Sequence, residues 1–194
     1  MFMAFMSLLI ICSALLLGGK LGLLASVRIR YTGLIVLALG VQILITEVIT
    51  TAPRALDVAL HLGSYAAAGV ALWANRALPG LVLIGVGAML NAAIITLNGG
   101  TMPASAHALA NAGLSTRNTG FVNSGIVHHP VLPWLGDILA TPQWLPFRNV
   151  LSVGDIIILV GAVVLGHWVS RSRLSQLFAW FGSRSLKAGD RLSA

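Results

Sequence analysis

A chain of 194 residues with 57% apolar residues, 9% charged residues and a mean hydropathy of +0.92 lies far from the soluble average of about a quarter charged, and reads as a membrane protein. The net charge of +7 raises nucleic acid as a partner, but the cations stand singly at the ends of apolar runs rather than along one basic face, so no nucleic-acid partner is expected. Cys12 is the single cysteine, which excludes a disulfide framework and a Cys-x-x-Cys redox or metal motif.

Met1 to Gly19 is apolar, with no cation ahead of it and Lys20 just after. That order is the reverse of a secretory signal peptide and predicts a retained spanning helix with its N-terminus outside. Lys20, Arg28 and Arg30 flank Leu21, Leu23, Leu24 and Val27, a short basic amphipathic connector at the inner interface. Gly33 to about Ile49 is a second span, interrupted by Gln42 and Glu47, and Ala55 to Trp73 is a third. The fourth starts at Leu78-Pro79-Gly80, where a proline in the first turn costs no hydrogen bond, and ends in the C-cap pair Asn98-Gly99. Each run approaches the ~20 residues that cross a ~30 Å hydrocarbon core.

From Asn98 to Asp155 the chain turns polar. Pro103 to Asn111 reads as one short helix, and Ser115 to Gly125 as irregular. His128 to Asn149 alternates proline with large aromatics, Trp134 and Trp144 among them. That composition suits the outer interface, with a re-entrant turn at Leu135 to Ala140. Ser152-x-x-Asp155 is a capping-box pattern that starts a fifth span, Val153 to about Ser170. Beyond it, Leu174, Leu177, Phe178 and Phe181 share one face amid Arg171, Arg173, Arg184 and Lys187, a helix lying on the cytoplasmic leaflet.

The expected fold is therefore an all-α polytopic membrane protein. Residues 1–170 form one five-helix domain with an ordered outer loop over 98–152, and residues 171–194 form a basic amphipathic tail. Lys20, Arg28, Arg30, Arg76 and the tail cations fall on one side of this scheme, and Arg54, Arg117 and Arg148 on the other. The Lys/Arg bias then puts the N-terminus outside and the C-terminus in the cytoplasm.

Gly18-Gly19-Lys20-Leu21, Leu78-Pro79-Gly80-Leu81, Asn98-Gly99-Gly100-x-Met102-Pro103, Leu135-Gly136-Asp137 and Asn149-Val150-x-Ser152-x-Gly154-Asp155 resemble the successive motifs of a family of small bacterial integral membrane proteins known as a domain of unknown function. The resemblance covers about Leu16 to Gly161. It implies a multi-pass protein of the bacterial cytoplasmic membrane and carries no activity with it.

Asp57, His61 and Ser64/Tyr65 share a face of the third span; a proton relay or headgroup site stands against a hydrogen-bonded packing face. Gly87, Asn91 and Asn98 share a face of the fourth, where close helix approach with an amide across the seam competes with ligand contact. Gln42 and Glu47 are candidates to face that seam, and Glu47 to pair with Arg54. Asp137 and Asp155 raise aspartyl chemistry, but the Gly-x-Gly-Asp signature is absent and both groups are expected to be hydrated. His128-His129 lacks metal-ligand spacing, so neither a metal nor any other cofactor is expected.

The reading that follows is a non-enzymatic small subunit or scaffold of a membrane complex, whose outer loop contacts lipid or a membrane-protein partner. The alternative is a binder or carrier of a lipid or quinone at the outer leaflet. Candidate contact residues for either are His61, Asn91, Asn98, Gly99, Gly100, Met102, Pro103, Trp134, Asp137 and Asp155.

Overall fold

The computed structural model describes residues 2–44, 54–114 and 124–176. Seven α-helices occur among them: α1 Phe2–Leu16, α2 Leu21–Ser26, α3 Thr32–Ile43, α4 Arg54–Ala74, α5 Leu81–Leu97, α6 Ala106–Asn111 and α7 Val153–Ser170. Four short strands complete the set: β1 Met102–Pro103, β2 Ser124–Gly125, β3 Asp137–Ala140 and β4 Val150–Ser152.

The five-span expectation is not supported. Among the described residues only α7 is both long and apolar enough to cross a membrane, at 18 residues. The other apolar helical stretches, Phe5–Leu16, Thr32–Ile43, Leu62–Ala74 and Leu81–Leu97, are shorter. At 1.5 Å per residue the 17 residues of α5 reach only ~25 Å. Counting apolar residues merged helices with the turns beside them. Gly18 and Gly80 have positive φ and lie inside runs that hydropathy assigns to the first and fourth spans, so the helices there are shorter than the runs. The fold is also not all-α. In Leu135 to Ala140, Leu135 closes the 3-10 turn Pro133–Leu135, and Asp137–Ala140 is strand β3, which pairs with β4. That pairing satisfies backbone groups that a helix would otherwise have satisfied within itself.

α7 is the axis. α5 lies along it, α1 packs on it, α2 reaches its C-terminal end, and α3 pairs with α4. Its start is fixed by a full capping box, in which the Ser152 hydroxyl accepts from the Asp155 N–H and the Asp155 carboxylate accepts from the Ser152 N–H. Its end is set by Arg171 in the left-handed region at φ 55.

Two small sheets cover the N-terminal end of α7. β1 and β2 are parallel, with Met102 opposite Ser124, and β3 and β4 are antiparallel, with Asp137 opposite Ser152 and Ala140 opposite Val150. An isolated parallel bridge from Ala104 to Asp137 joins the sheets. Their core is Ala108, Leu109, Ala112 and Val150, with Ala104, Leu114 and Ala140 against it.

Alongside buried Ile94, Phe2 and His167, the helices bury several small residues and leave many large ones exposed. Ala14, Ala38, Ala71 and Gly87 are buried, whereas Leu16, Val36, Trp73 and Met89 are exposed, Met89 to 71%.

The far end of the second span, the Glu47–Arg54 pair, Arg117, most of the 115–125 stretch and the tail beyond residue 176 lie outside the described residues. The 1–170 and 171–194 division thus keeps its status as an expectation.

Candidate functional site

The α5–α7 seam is built from glycine. A Cβ on Gly80 would meet the Gly161 carbonyl and one on Gly87 the Gly154 carbonyl; Gly154 and Gly161 are equally closed from the other side. Both glycine pairs recur after seven residues, two helical turns, so the antiparallel backbones touch twice. That close approach delivers Asn91, one turn beyond Gly87, to the first turn of α7. The Asn91 Nδ2 donates to the Asp155 carboxylate at 2.9 Å, and its Oδ1 accepts from the Ser152 hydroxyl at 2.9 Å.

Asp137 joins from β3. Its backbone is in register with Ser152, its carbonyl accepts from the Ser105 N–H at 3.0 Å, and its carboxylate accepts a short bond from the Ser124 hydroxyl. The side chain is 6% exposed, contrary to the hydrated carboxylate expected. Desolvation, with a smaller contribution from the nearby Asp155 charge, raises its pKa to about 6 against the opposing Ser124 hydrogen bond. Asn91, Ser124, Asp137, Ser152 and Asp155 therefore form one polar knot from four parts of the chain.

Asn98 holds the next piece. Its Nδ2 donates to the Val131 carbonyl at 3.0 Å and its Oδ1 accepts from the Val131 N–H at 2.8 Å. The amide thus pairs with a distant backbone as a strand would. Gly99 and Gly100, both at positive φ, then turn the chain into the buried pair Met102 and Pro103. Gly136 lies so close to the Pro103 carbonyl that no Cβ fits.

The remaining candidates stand apart. Trp134 is 60% exposed on the outside of the 3-10 turn. His61 belongs to α4, which packs chiefly against α3, and its side chain lies outside the described set. His128 and His129 are exposed, and no group of three or more His, Cys, Asp or Glu gathers among the described residues. Gln42 turns toward α4, not the α5 seam, and donates to the Ser64 hydroxyl at 2.6 Å. Beside Asn91, Gly87 and Gly154 pack directly on one another, and the Asn91 amide is engaged through both its nitrogen and its oxygen.

Residues 26–166 match a family of unknown function, DUF5317. The chain belongs to that family. An uncharacterized protein of Thermotoga maritima is 33% identical to it over 100 residues, which cover 48% of this chain and 53% of that protein. The chain thus spans about half the length of that relative. No solved structure matches.

Within this family member, two polar arrangements escape sequence reasoning. His167, 2% exposed, has its Nδ1 2.8 Å from the Ser172 hydroxyl and its Nε2 3.2 Å from that of Ser13, tying α1 to α7. An ionisable residue late in an otherwise apolar span was the available signal. Asn75, 6% exposed, clamps Arg30 as Asn98 clamps Val131, accepting from the Arg30 N–H at 2.8 Å and donating to its carbonyl at 2.9 Å. Only a register over 45 residues would have exposed it.

Proposed function

We propose that this protein is a non-catalytic, membrane-associated scaffold whose 98–152 cap meets lipid at the bilayer surface. The observation that carries the reading is the sorting of the cap's side chains. Ser124, Asp137 and Ser152 turn inward, Ser124 bonding to Asp137 and Ser152 to Asn91 of α5, while Trp134, Trp144, Leu139 and Val131 are exposed, Trp144 to 82%. Exposed tryptophans among apolar neighbours are the side chains that settle at headgroup depth. The many large side chains left exposed on α1, α3, α4 and α5 support the same reading, because apolar surroundings leave them no reason to turn inward.

In this proposal α7 crosses the bacterial cytoplasmic membrane with its C-terminal end on the cytoplasmic side. Support comes from Lys20, whose N–H donates to the Ser170 carbonyl, and from Arg171 and Arg173 beside it, since cytoplasmic flanks are rich in Lys and Arg. A membrane-protein partner on the cap is a further proposal that rests on the same exposed face.

The test is flotation of the full chain with neutral phosphatidylcholine vesicles. Trp134→Ser together with Trp144→Ser is expected to lower the bound fraction several-fold with the fold intact by circular dichroism. Unchanged flotation would remove the cap from the proposal.

A further inference from the structure

We propose that the cavity between α2 and the C-terminal end of α7 binds the phosphate headgroup of an anionic membrane lipid. This deepens the lipid-contact reading and rests on it, but concerns the end of α7 opposite the cap.

The cavity measures about 670 Å³ and is lined by Arg28, Arg171 and Gln176 on its polar side and by Leu23, Leu78 and Trp168 among its apolar walls. That volume is in the range of small-molecule sites and far exceeds a lone phosphate group. It has room for a headgroup with its glycerol and the first methylenes, and the mixed lining matches such a molecule. Guanidinium groups hold phosphate oxygens two at a time, which ammonium groups do not. Trp168 is 45% exposed, with a ring suited to the boundary between headgroup and acyl chain.

Among the described residues, no carboxylate answers these arginines in the lining. Asp155 begins the helix that Arg171 ends, and sixteen residues of α7 separate them by ~24 Å, about three Debye lengths at physiological salt. The negative end of the helix dipole is also occupied by protein donors. The Ser170 carbonyl accepts from Lys20 N–H, the His167 carbonyl from Ser172 N–H, and the Trp168 carbonyl from Arg171 N–H at 3.1 Å. Among the described residues, the unmatched charge at the cavity is therefore positive.

Both cations stand on fixed backbone. Arg171 is the left-handed cap of α7, and the Asn75 amide clamps Arg30, two residues beyond Arg28.

The test uses delipidated full-length protein in neutral detergent, titrated with short-chain phosphatidylglycerol, with phosphatidylcholine of equal chain length, and with inorganic phosphate. Binding is read by native mass spectrometry and by the shift in melting temperature. Phosphatidylglycerol is expected to bind about tenfold or more tighter than phosphatidylcholine. Arg28→Gln with Arg171→Gly, glycine being at home in the left-handed conformation, is expected to weaken it by about 30-fold. Arg28→Gln alone, at an exposed position, is expected to weaken it about fivefold. Arg148→Gln, outside the cavity, leaves it unchanged. Equal affinity for the two lipids, or indifference to the arginine changes, overturns the proposal. Inorganic phosphate binding as tightly as the lipid makes this a free-anion site and overturns the lipid assignment. Failure of flotation on neutral vesicles bears on the cap alone, so the two readings fail separately.

Discussion

Replacing Asp137 by Asn is expected to stabilise the protein at neutral pH. The carboxyl is 6% exposed and its pKa is raised from 3.8 to about 6 by desolvation and by Asp155, so the folded state holds this proton more tightly than the unfolded state does. The resulting stability is fully present below pH 3.8 and is lost as pH rises through about 6. A shift of about two units at 1.36 kcal/mol each puts the loss at roughly 3 kcal/mol above pH 6. Asn keeps the shape and an oxygen to accept from the Ser124 hydroxyl, but cannot ionise. In detergent, Asp137→Asn should therefore melt about 6–12 °C above the parent at pH 7.5. The two curves should converge near pH 4, the decline between pH 4 and 6 being absent from the variant. A variant less stable at pH 7.5, or one that declines over pH 4–6 with the parent's slope, would refute the reasoning. It would show that the ionised carboxylate is held favourably in the knot.

Gly154→Ala puts a methyl against the Asn91 Oδ1 and the Gly87 carbonyl, and thermal melting should show a loss of about 1–3 kcal/mol or more. Gly40→Ala, in α3 with open space around its Cβ, should instead gain about 0.5–1 kcal/mol in the same assay. Asn98→Ala removes both bonds to Val131 and one to the Ile94 carbonyl. It should cost about 1–3 kcal/mol, with amide exchange accelerated at Val131 more than in α7.

The parts of the fold legible in sequence are those written in local code. Ser152 and Asp155 announce the start of α7 because a capping box needs only four residues, and Asn98-Gly99 ends α5 by an equally short rule. Hydropathy has no comparable resolution along the chain. Gly80 at φ 88 ends a turn inside the run Leu78-Pro79-Gly80-Leu81 that hydropathy assigns to the fourth span. The β3–β4 pairing was hidden because Asp137-Ile138-Leu139-Ala140 is buried, exposed, exposed and half-buried, which is not the alternation that identifies a strand. At the site, the Gly87–Asn91 face could be drawn from helical spacing alone, but not its neighbours. Asp137 becomes a buried group only when Ser124 and Ser152 arrive from either side, and that depends on long-range register.

The central claim is that the cap's outward tryptophans sit in the bilayer surface. It is tested most directly by a variant keeping Trp134 alone, with Trp73, Trp144, Trp168 and Trp180 replaced by Phe, reconstituted in vesicles whose lipids carry quenchers at two depths. The account predicts strong quenching from the headgroup-level label and weak quenching from the mid-chain label. Full access to aqueous iodide with no lipid quenching would contradict it.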